Sequence, residues 1–147
     1  MTMIRSMLAF AVVALGITAV AAQSDPISTR KGLMKRVGDL TKVGASMDKG
    51  DAPFDAAKAH EIFAAYIDTA AKMPTLFPDN AKTGGETSAA PKIWEDMAGF
   101  KERFAKFSAD AKAAEAATKD LASFKAQFGG LTKSCGGCHE VYRVKKS

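Results

Sequence analysis

Apolar residues in this chain recur at steps of three and four, and nowhere do β-branched residues alternate with polar ones over a run long enough for a strand. That period restricts the chain to helices. Ser24-Asp25-Pro26 supplies a capping residue and a proline at the first helical position. Ile27, Arg30, Leu33, Met34, Val37, Leu40, Gly44 and Met47 then share a stripe to about Asp48. Lys49-Gly50-Asp51-Ala52-Pro53 breaks the pattern, and a second helix is predicted from about Asp55 to Ala71, ended by Pro74. Residues 74 to 90, with two prolines and Gly84-Gly85, lack the helical period and form the one long connection. A third helix is expected over 91–117, with Ile93, Trp94, Met97, Phe100, Phe104 and Phe107 on one face. Asp120 caps a fourth, which carries Leu121, Phe124, Phe128, Leu131, Cys135, Cys138 and Tyr142. Four amphipathic helices with mostly short links are buried most economically as an all-α antiparallel four-helix bundle.

Both cysteines lie in the last of these helices, in the run Cys135-Gly136-Gly137-Cys138-His139, which only eight residues follow. Two thiols three positions apart, followed at once by an imidazole, match the attachment pattern of a c-type haem. The sulfurs bind the porphyrin vinyl groups as thioethers, and His139 offers an imidazole nitrogen to the iron. Other uses of the pair are less complete. A zinc site needs a fourth ligand, and the only other histidine, His60, is in a different helix, flanked by Lys58 and Glu61 as on a solvent-facing surface. A dithiol oxidoreductase places its pair at the start of a helix after a strand. A disulfide across two residues closes too small a loop to stabilise much. None of these accounts for the histidine. Gly129 and Gly130 weaken the helix locally and permit close approach by a bulky group such as a porphyrin.

Met34 is the second residue able to carry chemistry. Methionine in an apolar stripe is usually gap-filling core, but a thioether also serves as a sixth ligand to haem iron. Met47, near the far end of the same helix, Met73, beside a proline, and Met97, among aromatics, are its rivals. Arg30 precedes Met34 by one helical turn and shares its side, so it reads as a surface ion pair or as a fork for a haem propionate. Arg143, Lys145 and Lys146 read as a solvated tail or as a docking point for a partner.

The 147 residues, 47% hydrophobic, suffice for one domain and not two. Arg5, the apolar stretch Met7 to Val20 and the small residues Ala19, Ala21 and Ala22 have the order of a secretory leader, so residues 1–22 are expected to be cleaved from a mature chain 23–147. The apolar stretch is shorter than the ~20 residues a spanning helix needs. Export into an oxidising compartment would pair free cysteines unless haem claims them. Removing the leader takes Arg5 from 21 basic residues and leaves 20 against 16 acidic ones, a net +4. Two propionates lower this to about +2, scattered rather than striped, so nucleic acid is excluded as a partner. No catalytic triad, acid pair or phosphate loop argues for an enzyme.

Four segments together resemble the cytochrome c-prime family, and within it the low-spin cytochrome c-556 branch. They are Arg30-Lys-Gly-Leu-Met34-Lys, Leu76-Phe77-Pro78-Asp79, Pro91-Lys-Ile-Trp94 and Cys135-Gly-Gly-Cys138-His139-Glu-Val-Tyr142-Arg143. The resemblance covers essentially the whole mature chain. It implies a four-helix bundle with one covalent haem c near the C-terminus, His139 as proximal ligand to iron, and a distal face built from the first helix, where Met34 matches the residue over the iron. In the c-556 branch that residue is a ligating methionine, which makes the protein a periplasmic one-electron carrier for redox partner proteins. In the c-prime branch the iron is five-coordinate and binds nitric oxide or carbon monoxide, and some members keep a methionine there without ligation. Arg143 matches a family arginine on the proximal side. Family members include homodimers built on the first two helices. A third, weaker reading makes the chain an electron-transfer subunit of a larger complex, with membrane association only through a partner.

Overall fold

The computed structural model describes residues 25–144. The leader expected over 1–22 and the tail lysines Lys145 and Lys146 lie outside the described residues. Each long helix begins where a carboxylate can accept from its free N–H groups. Asp25 accepts from the backbone of Ser28 at 2.8 Å and opens α1, Pro26–Lys49. The helix stops at Gly50, whose φ of 83° is the left-handed conformation glycine adopts without strain. Asp55 caps α2, Ala56–Lys72, through the Lys58 N–H at 3.0 Å. Asp120 and Ser123 cap α5, Leu121–Tyr142, reciprocally.

The third expected helix is two. A four-residue turn, α3 (Lys92–Glu95), precedes α4 (Met97–Ala117), and the break falls at Asp96, whose φ and ψ of −135° and 54° are not helical. The apolar stripe continues across the break, which is why the period alone reads as one helix. The Asp96 carboxylate is the physical cause. It accepts from the Gly99 N–H at 3.2 Å to start α4 and from the Tyr142 hydroxyl at 2.9 Å.

Consecutive faces pack in a ring, α1 on α2, α2 on α4, α4 on α5 and α5 back on α1. The links 50–55 and 118–120 are short enough to turn each pair antiparallel, so the molecule is an antiparallel four-helix bundle. Among the described residues there is no strand, only an isolated bridge between Ala89 and Arg143. The interior has two centres. One is built around Phe63, Tyr66, Phe124 and Phe128, the other around Met73, Ile93, Phe100 and Tyr142.

The long connection is more ordered than its sequence indicates. It contains two single 3-10 turns, Met73–Thr75 and Asp79–Ala81. Arg30 holds it from α1, with Nη1 donating to the Leu76 carbonyl at 3.0 Å and Nη2 to the Ala81 carbonyl at 2.9 Å and the Thr87 hydroxyl at 2.7 Å. The end of α5 holds it too. The Ala90 N–H donates to the Tyr142 carbonyl at 3.0 Å, and the Val144 N–H to the Ser88 carbonyl at 2.9 Å. Ile27, at the start of α1, packs so closely on Gly85 that a Cβ there would lie 2.9 Å from its methyl.

Candidate functional site

All four long helices contribute to one cavity of about 280 Å³, which opens to solvent between the two core centres. α1 supplies Met34 and Val37, α2 Thr69, α4 Arg103, Phe104, Lys106, Phe107 and Asp110, and α5 Ser134, Cys135, Gly137, Cys138 and His139. Helical spacing explains the grouping. Met34 and Val37 are three apart on α1, while Cys138 and His139 follow Cys135 by three and four positions on α5, so each set shares one side of its helix.

The cysteines are unpaired and half-buried. The Cys135 thiol donates to the Leu131 carbonyl at 3.5 Å, and burial pushes both thiols above their ordinary pKa. They are therefore neutral at pH 7, the reverse of what a dithiol redox motif needs. Zinc also lacks its donors, since among the described residues no three His, Cys, Asp or Glu side chains converge on a metal-sized point. His139 is open to solvent on one side and lines the cavity with the other. Lost hydration, then the charge of Arg143, holds its pKa below the usual imidazole range, which favours the neutral ring that binds metal.

The rest of the wall is mostly apolar, with Met34, Val37, Phe104 and Phe107 as its body. Two neutral thiols and a neutral imidazole beside an apolar slot are what a covalently held haem uses, and Met34 adds a thioether to the same wall. The residues present fit that group. Met47 and Met73 are each 2% exposed within the core, and Met97 packs beside Phe100, so none of the three reaches the cavity. His60 is exposed, 3.4 Å from Glu115, and takes no part.

Two expected site residues stand apart. Arg30 is 5% exposed, but its guanidinium is engaged by loop oxygens and lies 4.6 Å from the Phe77 ring centre, outside the cavity. Its hydrogen bonds go to the loop. Arg143 does not line the cavity either and acts on the site through its field at His139. Gly129 and Gly130 are likewise outside the wall; Gly137 is the glycine within it. Arg103 and Thr69 were not legible as site residues from the sequence. Only the spacing of Arg103 to Phe107 and Asp110, four and seven positions on, marks it as sharing their face.

Comparison with known proteins agrees with this geometry. A sequence profile of the family described as Cytochrome C' matches residues 25–143. The cytochrome c' of Rhodopseudomonas palustris is 48% identical over 135 residues, covering 92% of each chain. The solved structure of cytochrome c' from that organism superposes with a TM-score of 0.81 at 49% identity, over 85% of this chain and all of the other. An NMR-validated structure of oxidised R. palustris cytochrome c556 gives 0.77 at 32% identity, again over 85% of this chain and all of that one. With a helical ring around an apolar slot, the Cys-x-x-Cys-His turn on its wall and this extent of likeness, the chain belongs to the cytochrome c' family, whose members carry covalently bound haem c with iron.

Proposed function

We propose that this protein is an exported, periplasmic one-electron carrier in which Cys135 and Cys138 would anchor haem c while His139 and Met34 would both ligate its iron. One observation carries the reading: of the described methionines and histidines, Met34 and His139 alone line the cavity, from α1 and α5. When bound, the haem supplies a one-electron iron couple. The chain's own part is to hold the thiols and imidazole on one helix, present the thioether from another, and exclude water with Val37, Phe104 and Phe107. Export is supported by the family match beginning at residue 25 and by solved relatives whose whole chains are spanned by 85% of this one. No helix among the described residues is long and apolar enough to cross a membrane.

A second reading, a five-coordinate protein that binds nitric oxide or carbon monoxide beside an unligated Met34, draws on the higher identity to cytochrome c', 48%, than to the c556 structure, 32%. The absorption spectrum of the oxidised protein separates the two. A carrier is low-spin, with a methionine-to-iron charge-transfer band that Met34→Ala abolishes. A high-spin wild type whose reduced form takes up carbon monoxide rapidly would establish the second reading instead.

A further inference from the structure

We propose that Arg103 is a positioning residue for the Cys-Gly-Gly-Cys-His turn and that its fixed charge raises the reduction potential of the site. This rests on the reading of Cys135, Cys138 and His139 given above. Arg103 lies on the cavity wall, and its Nη1 donates to the Gly137 carbonyl at 3.3 Å. Its guanidinium carbon also stands 5.6 Å from the centre of the Tyr142 ring. Gly137 lies between the two cysteines and Tyr142 follows His139 by three residues, so one side chain of α4 grips α5 on both sides of the imidazole. The Tyr142 hydroxyl donates in turn to Asp96 at the α3–α4 break, which fixes the ring that Arg103 rests on.

Arginine suits this place because its planar fork can donate to a carbonyl and lie against an aromatic face at once, whereas a lysine ammonium is a single point of charge. Its charge is not neutralised by a direct ion pair, although the Asp96 carboxylate lies within its field. Lys106, the other cation on the wall, is paired with Asp110 at 2.7 Å, but Arg103 forms no ion pair among the described residues. When one electron arrives from a partner redox protein the site loses one unit of positive charge, so a fixed cation on its wall favours the reduced form.

The test uses purified holoprotein and compares wild type with Arg103→Gln and Arg103→Lys by potentiometric titration at low and high ionic strength. The shifted His139 ring resonances in the NMR spectrum of the oxidised form give a second readout. Arg103→Gln is expected to lower the potential, by an amount that shrinks as salt screens this exposed side chain. Arg103→Lys is expected to keep most of the potential but move the His139 resonances, because the fork is lost. If Arg103→Gln does not accumulate folded, the Arg103→Lys resonances decide. Unchanged potential and unchanged His139 resonances, with only a lower melting temperature, would overturn the inference by reducing Arg103 to a structural brace. A protein purified without covalent haem would overturn the reading of the site itself, a failure distinct from that one.

Discussion

Tyr66 is fully buried against the aromatic cluster of the bundle, and its hydroxyl shares a 2.7 Å hydrogen bond with the Thr41 hydroxyl. Burial pushes its pKa up to about 12, with Thr41 opposing. An unfolded phenol ionises near 10, so between about 10 and about 12 the folded state holds a proton that the unfolded state has lost. The stability this group contributes is complete below pH 10 and falls as pH rises through 12. Tyr66→Phe should lose about 1 kcal/mol at neutral pH with its hydrogen bond, yet flatten the decline of the melting temperature across that alkaline window. Identical alkaline limbs for both proteins would rule this out. Residue-scale signals divide by reach. The caps at Asp25 and Asp120 were legible because each carboxylate acts within three residues of itself. The task of Arg30 was not, because its acceptors lie 46 to 57 residues further on, and two of the three are backbone carbonyls with no signature in the sequence.

Among helices, the spacing of α1 against α5 and α2 depends on a missing side chain. A Cβ at Gly44 would lie 2.6 Å from the Phe128 ring and 3.2 Å from the Ile62 methyl. Phe128 is itself stacked on Phe124 at 5.0 Å and has little room to yield. Gly44→Ala gains about 1 kcal/mol of helix propensity but sets it against an overpacking cost of about 1–3 kcal/mol, so the variant should be less stable in urea. Gly38, on the exposed side of the same helix with nothing within 4 Å, has no such cost, and Gly38→Ala should be more stable by up to about 1 kcal/mol. Equal gains from both would show that α1 does not need the close approach. Periodicity revealed the helices because burial repeats along them. It passed over the break at Asp96 because the apolar stripe from Ile93 to Phe100 runs straight through it, and the hydroxyl that helps hold that carboxylate belongs to Tyr142, 46 residues away. For the site the same logic applies: Cys135, Cys138 and His139 are contiguous and legible, Met34 needed the family resemblance, and Arg103 needed the fold.

At the scale of the whole molecule, the connection between α2 and α3 ties the two sides of the cavity together. Arg30 holds it one turn before Met34, and Tyr142 and Val144 hold it just after His139. The same connection gathers the two ends of the described chain, since Ile27 packs on Gly85 while Val144 bonds to Ser88, three residues further along. Beginning and end are thus neighbours in space, and the order in which the helices are threaded becomes separable from their packing. A circular permutant that joins residue 144 to residue 25 by a short flexible linker, and opens instead in the exposed turn at Gly50-Asp51, should reach the same bundle and melt cooperatively near the parent temperature. Failure of that permutant to fold would mean that α1 and α2 must be joined before the rest can assemble.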